Sequence, residues 1–507
     1  YIPCWMVEQS RLLFLAALAS FCANWQFAFQ ITYVNTAARG FHERGSAAFR
    51  VSHNCTHCEV PSEDWTQEWS VIIASFYPGS VLGFLLMPAL VSRLGTKTAM
   101  ATLSLPALLG CALQLLPFLS QGGSLLFDAA LCGGRLLVGI QGGAALCFLP
   151  LYIIEISPPP ARSLLNTFQQ VSQAFGTLVG LILGCEFILP FGSSRVVVLQ
   201  IVAAAPTVLL IILLASTPPT PHYLLMQGAD ITDVLSSLSY YQGASADLLT
   251  LQNDVSAQTI KNAPRGRIPW SSWKGFLVGS LAASSYAFTA DDLIDTFSAH
   301  ILHAAQGKDP VRHGYSVELD HSADIMSIVL GFVLLIGSLL GSLLIDRYGR
   351  RRLLLFGLVG TAVWNGMAAA FIPTSPSAVL LFFGLTKLSI GLGAGHPAWF
   401  LTSELVSLPF VPLFQSLSTG LLLCSCMVVT FFFLPLSLIS PVLSILILST
   451  IPASLIALLL FLFLPETKDK SSRHIQLVLQ SNIFSGISNS PYHILTSQSN
   501  VDYGTFL

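Results

Sequence analysis

Asp346-Arg347-Tyr348-Gly349-Arg350-Arg351-Arg352 stands between two long apolar stretches, and a weaker copy, Ser92-Arg93-Leu94-Gly95-Thr96-Lys97, stands roughly half a chain earlier. A short basic turn with a central glycine, used once in each half, predicts a duplicated bundle of membrane helices. Each copy follows an apolar span with small residues in it, Gly83 in the first, Gly337 and Gly341 in the second. Outward from these turns, apolar runs long enough to cross a bilayer, about 20 residues each, fall near 11–33, 69–91, 98–119, 126–154, 164–189 and 195–215. They resume near 274–302, 324–345, 353–372, 377–404, 411–435 and 440–464. The fold class that follows is an all-α membrane protein of about twelve transmembrane helices in two six-helix halves. The predicted divisions are an N-terminal half over 1–217, a cytoplasmic linker over 218–272, a C-terminal half over 273–465 and a tail over 466–507.

Composition agrees. Of the 507 residues, 53% are hydrophobic and 9% charged, against about 25% charged in a soluble domain. The net charge of -2 singles out no partner, and nothing points to nucleic acid; the expected partners are the bilayer and a small polar solute, with the oligomeric state left open. Tyr1 in place of a methionine suggests a missing or processed N-terminus. Residues 11–33 read as a first membrane helix rather than a signal peptide, because they are long enough to span and no cleavage site follows. Basic residues set the orientation: Arg93, Lys97, Arg162, the linker cations and Arg347 to Arg352 all fall in loops on the side of both termini, which predicts cytoplasmic N- and C-termini in a plasma-membrane protein. The outer loop, about 36–68, holds the sequon Asn54-Cys55-Thr56, a glycosylation site on that topology.

Ten cysteines invite a disulfide reading, yet most lie inside spans, where they pack as small apolar residues. His53, Cys55, His57 and Cys58 have spacings open to zinc; a solvated loop, with or without a Cys55–Cys58 link, is the preferred reading, and no metal or other cofactor is expected.

Further segments carry a family resemblance. Gly134-Arg135-Leu136-Leu137-Val138-Gly139, Pro150-Leu151-Tyr152-Ile153-Ile154-Glu155-Ile156-Ser157-Pro158 running on to Arg162, Ser403-Glu404-Leu405, and Leu464-Pro465-Glu466-Thr467-Lys468 occur in that order. Together with the two basic turns, the set resembles the sugar porter branch of the major facilitator superfamily, and within it the facilitative glucose transporter family. The resemblance implies a machine that rocks two halves about a central site. It also implies that Arg93, Arg135, Glu155, Arg162, Asp346, Arg350, Glu404 and Glu466 serve as gating and salt-bridge residues that tie the halves on the cytoplasmic side. Charges in hydrocarbon cost roughly 2.5–3.5 kcal/mol or more, so such residues should gather at the membrane edge and pair. Three departures predict a weaker latch: Thr96-Lys97 replaces two arginines, Val411 replaces the arginine after Glu404, and Pro218-Pro219-Thr220-Pro221-His222 replaces PESPR.

A polar solute in the central cavity exchanges water for side-chain hydrogen bonds, and amides suit it because each both donates and accepts. Gln170, in Thr167-Phe168-Gln169-Gln170, resembles the family's sugar-contacting glutamine, and Trp399 resembles a tryptophan that stacks on the sugar ring. Gln26 and Gln30 share a face of span one and read equally as cavity residues or as helix-packing amides. Span seven departs most. Where the family has QQxSGxN, this chain has Tyr286-Ala287-Phe288-Thr289-Ala290-Asp291-Asp292, with Asp295 one turn on. Asp292 takes the asparagine's place as a substrate-site candidate. Either the acids line an adapted cavity, or they sit near enough to the outer surface to be solvated.

The expected function is facilitative transport, by uniport, of a hexose such as fructose or glucose, since span one lacks the acid that the proton-coupled members carry. The stretch Trp69 to Gly79 resembles the fructose-type members, whereas Trp399 favours glucose. The rival readings are a non-transporting sensor and a proton-coupled carrier of another small polar solute. No motif suggests an enzyme; Gly391-Leu392-Gly393-Ala394-Gly395 lies within a span and reads as packing points or the flexible part of a gating helix.

Overall fold

The computed structural model describes residues 10–55, 60–120, 122–189, 193–243, 247–249, 251–252, 268–305, 322–407, 410–468, 470 and 472–481; among them there are helices and no strand. The two basic turns share one backbone conformation. Gly95 has φ 79° and ψ 162°, and Gly349 has φ 90° and ψ 163°, a region that a side chain rarely enters. Each glycine ends one helix and opens the next, which is how the same hairpin appears once per half.

The first six spans are α1 (Ser10–Thr36), the kinked pair α3 (Ser62–Ala74) and α4 (Phe76–Leu94), α5 (Thr96–Leu113), α6 (Ser124–Ile156), α7 (Pro159–Gly184) and α8 (Ser193–Ser216), with α2 (Ala38–Ser52) in the loop after α1. Linker helices α9 (Pro221–Gln227) and α10 (Ile231–Gln242) follow. The second six are α11 (Trp270–Phe288) with α12 (Asp291–Ala305), α13 (Ser322–Tyr348), α14 (Arg350–Phe371), α15 (Pro376–Ser389) with α16 (Gly395–Leu405), α17 (Val411–Ile439), and α18 (Pro441–Ile445) with α19 (Ile451–Phe463). Ten of these spans are long and apolar enough to cross a membrane. The other two are span five, α7, and span seven, α11 with α12. Both face the middle of the molecule, and α7 buries Thr167, Gln169, Gln170, Gln173 and Thr177 there, which lowers its hydropathy.

Span seven, read in sequence as one helix over 274–302, is two. The break falls at Thr289-Ala290, where Ala290 takes φ 69°, a left-handed value that costs a side-chain-bearing residue about 1–2 kcal/mol. Carbonyls freed at a break inside a membrane must find donors within the protein. Ser449 Oγ donates to the Phe288 carbonyl at 2.8 Å and Asn365 Nδ2 to the Thr289 carbonyl at 2.8 Å, so neighbouring helices complete the backbone. Span ten departs from α-geometry too, with a π turn at Ile390–Ala394 between α15 and α16, over the glycine-rich stretch. Such turns cluster at functional sites.

Within the first half, α4 and α6 approach closely through Gly79, Gly83, Gly139 and Gly143, where a Cβ would meet the opposing helix backbone. Between halves, α7 packs on α13, α12 on α1, and α17 on α4. Contacts cross at both ends of the molecule. At the end with the basic turns, Ser163 Oγ donates to Asp346 Oδ1 at 2.9 Å, and Leu151 packs among Val406, Val411 and Phe414. At the far end, Asn35 Nδ2 donates to Ser298 Oγ at 2.9 Å, and Asn35 Oδ1 accepts from the Ala299 N–H at 3.2 Å.

Candidate functional site between the halves

Midway between those ends, Trp399 Nε1 of α16 donates to Gln170 Oε1 of α7 at 2.6 Å, joining one half to the other. The π turn aims this contact: Gly395 opens α16 directly against Gln170, and a Cβ there would lie 2.6 Å from the amide carbon. Trp399 is also ringed by aromatic side chains, with Tyr286 at 4.6 Å between ring centroids and Phe27 at 6.4 Å. Gln415 Nε2 of α17 donates to the Trp399 carbonyl at 2.9 Å. The Gln170 amide nitrogen and the Gln415 amide oxygen are both buried without a hydrogen-bond partner. A buried unmet donor or acceptor costs about 1–3 kcal/mol, so this locus is suited to a polar ligand with hydroxyls. Gln415 was not singled out in the sequence, where one amide in an apolar span carries no periodic signal.

The acids of span seven are buried rather than solvated: Asp291, Asp292 and Asp295 are 0%, 2% and 2% exposed. The reading that placed them in water at the outer surface is therefore set aside. What makes their burial tolerable is Lys387 of α15, also fully buried and absent from the sequence reading. Its ammonium reaches Asp291 Oδ1 at 2.7 Å, the Asp291 carbonyl at 3.1 Å, and Asp295 Oδ1. Tyr286 donates its hydroxyl proton to Asp291, and Thr177 Oγ1 of α7 donates to Asp295 Oδ2 at 3.3 Å. A lysine inside an apolar span is costly by itself; together with three acids one span-pair away, it could have been matched by a charge count. Asp292 stands apart: Tyr77 of α4 donates to its Oδ2 at 3.4 Å, and its Oδ1 has no partner.

Gln26 and Gln30 lie in the first half's interior. Gln26 Nε2 donates to the Ala203 carbonyl at 2.7 Å and Thr207 Oγ1 at 2.9 Å, both on α8, and Gln30 Nε2 reaches Gln26 Oε1 at 3.4 Å. Arg135 stands in the first half of α6, far along the helix from Glu155 in its last turn. It is 2% exposed and donates to the carbonyls of Gln30 and Ile73 at 3.1 and 3.3 Å, with no carboxylate bonded to it among the described residues.

The remaining charged candidates sit at the basic-turn end. Glu155 accepts from Thr96 Oγ1 at 2.5 Å and Thr220 Oγ1 at 2.7 Å, so hydroxyls rather than guanidinium groups satisfy this carboxylate. Lys97 Nζ caps α8 through the carbonyls of Thr217 and Pro218. Arg93 is exposed, and Arg162 Nε donates to the Ser157 carbonyl at 3.3 Å. In the second half, Arg350 lies 3.5 Å from Glu404 and 3.8 Å from Asp346. Thr467 Oγ1 donates to Glu404 at 2.6 Å, and Glu466 accepts the backbone N–H groups of Arg350, Thr467 and Lys468 at 3.0–3.2 Å.

Asn54 is exposed just beyond α2, with φ 48°. Cys55 is disulfide-bonded, while Thr56, His57 and Cys58 lie outside the described residues. Among the described residues, no cluster of His, Cys, Asp and Glu has the geometry of a metal site.

Three comparisons converge on one family. A family model described as sugar (and other) transporter matches residues 12–479. The chain is 26% identical over 363 residues to human solute carrier family 2, facilitated glucose transporter member 14, covering 68% of this chain and 64% of that protein. It is 24% identical over 434 residues to facilitated glucose transporter protein 1 of Caenorhabditis elegans, covering 82% and 81%. In fold it is similar to a double-tryptophan mutant of XylE (TM-score 0.75, 19% identity, 92% of this chain and 99% of that one) and to the xylose transporter XylE from E. coli in a partially occluded inward-open conformation (TM-score 0.70, 18% identity, 91% and 100%). The helices, the paired basic turns and the family match agree that this is a membrane transporter rather than an enzyme, and the chain belongs to the sugar porter family of the major facilitator superfamily.

Proposed function

We propose that the chain carries a hexose, glucose or fructose, across the plasma membrane by uniport through alternating access. The observation that carries this reading is the Trp399–Gln170 hydrogen bond between halves, flanked by the unpaired amide atoms of Gln170 and Gln415. A sugar hydroxyl that inserts there can replace the indole as donor and satisfy the free amide groups, while the ring lies against Trp399. The halves 1–217 and 273–465 rock about the linker 218–272, with both termini cytoplasmic. Arg93, Glu155, Arg162, Asp346, Arg350, Glu404 and Glu466 form the cytoplasmic gate, in which the Ser163–Asp346 bond must break as the inside opens. Arg135 braces spans one, two and four, and Gln26 and Gln30 tie span one to span six. Asn54 carries an N-glycan on the outer face. The names of the relatives, facilitated glucose transporters, support the hexose, and the absence of an acid from α1 supports uniport.

The test is uptake of radiolabelled glucose and fructose into vesicles holding the purified protein, with and without a proton gradient. Saturable uptake of either sugar, unchanged by the gradient, is the expected result; gradient-driven accumulation would replace uniport with symport. Gln170→Leu should lower flux roughly tenfold, the scale of one lost hydrogen bond, with surface expression unchanged.

A further inference from the structure

Arg135 is a buried cation with no carboxylate bonded to it among the described residues. It is 2% exposed, its two terminal nitrogens donate to the carbonyls of Gln30 and Ile73 at 3.1 and 3.3 Å, and its Nε has no partner. Ile73 lies in the last turn of α3, whose dipole offsets part of the charge. The remainder is uncompensated, and a bare charge among membrane helices is costly. Asp292, across the divide on α12, accepts from Tyr77 and not from the guanidinium. Lys387, buried in the corresponding fourth span of the second half, has two carboxylates.

A second open donor stands beside the first. Gln114, which follows the last residue of α5, packs across α6 next to the guanidinium: Gly134 has no side chain, and a Cβ there would lie 2.5 Å from Gln114 Cγ. Gln114 is 1% exposed, and its Nε2 has no partner. The Tyr33 hydroxyl of α1 links the two, since it donates to Gln114 Oε1 at 3.0 Å and faces Arg135. Gln200 Nε2 of α8 donates to the same hydroxyl at 3.3 Å. Two unmet donors, one of them on a buried cation, thus flank one phenol. All these groups belong to the first half, at the end away from the basic turns and apart from the Trp399–Gln170 contact. We propose that a small monovalent anion, with chloride as the type, binds between Arg135 and Gln114. Such an ion accepts hydrogen bonds without donating any, so it answers both open donors, and its single charge matches that of the guanidinium. Water would fill the donors and leave the charge.

The experiment is a thermal melt of the purified protein in detergent, with chloride replacing gluconate stepwise at constant ionic strength. A saturable rise in the unfolding midpoint of at least about 2 °C is expected, because a ligand of the folded state stabilises it by mass action. Bromide should act like chloride and sulfate should not, the reverse of the general salt series, in which sulfate stabilises most. In Gln114→Leu, which keeps the charge, half the rise should need about tenfold more chloride, the scale of one lost hydrogen bond. In Arg135→Gln the rise should disappear. A wild-type midpoint indifferent to chloride, or one raised most by sulfate, would overturn the inference, and the α3 dipole with the two carbonyls would then carry the whole charge. The same rise at the same chloride concentration in both variants would also overturn it, as a general salt effect. The wild-type series decides the matter even if neither variant folds, and it needs no transported sugar, so its outcome is independent of the hexose reading.

Discussion

Lys387 and Arg350 each stand between two carboxylates, and the two arrangements differ in almost everything else. Lys387 is fully buried with Asp291 and Asp295, and its Asp291 contact is 2.7 Å. Arg350 lies at the basic-turn end, with Asp346 and Glu404 at 3.8 and 3.5 Å and with side-chain exposures of 54% and 25%. The same charge pattern therefore does two jobs. In the dry interior, a cation that loses its partners has no water to turn to, so the Lys387 cluster commits α12 to α15 and holds the broken span seven in place. At the edge, the Arg350 side chain is itself only 10% exposed, but water reaches both of its partners, at 54% and 25%, so these bonds can be broken and remade in a transport cycle at smaller cost than those of Lys387.

The sharpest way to break this comparison is Lys387→Met, which leaves two buried carboxylates without their cation. It should destabilise the protein by about 3–5 kcal/mol, seen as a large drop in the thermal unfolding midpoint in detergent. Restoring charge balance with Asp291→Asn and Asp295→Asn in the same chain should recover most of the loss. Failure to recover would mean that the lysine matters through packing and not through charge.

Next comes the edge. Glu404→Gln should cost only about 0–1 kcal/mol in the same melt while changing the rate of uptake. A melt as damaged as that of Lys387→Met would put the two clusters in one class. Glu155→Gln sharpens the contrast between halves. Its partners are the hydroxyls of Thr96 and Thr220, so the amide oxygen of a glutamine can still accept from one while its NH2 donates to the other, and its effect on uptake should be smaller than that of Glu404→Gln. An effect of opposite sign belongs to the hinge beside the cluster: Ala290→Gly, which relieves the strained φ of 69°, should raise stability by about 1 kcal/mol. A loss instead would show that the Ala290 methyl packs usefully.

The sequence by itself determined the helical membrane fold, the two halves and their paired turns. Those follow from length and hydropathy and from the need for glycine at one backbone position, and each is a local property of the chain. It also marked Gln170 and Trp399, because both sit in recognisable segments. Only the tertiary structure decided that these two residues, 229 positions apart, share a hydrogen bond. It likewise decided that Lys387 answers Asp291 and Asp295 from 96 and 92 positions away, and that Gln26 turns to α8. Partner choice in a bundle depends on which helix faces which, and neither periodicity nor composition along one span encodes it. The break in span seven has the same origin, since an interrupted helix survives in a membrane only when Asn365 and Ser449 on other helices satisfy the carbonyls it frees.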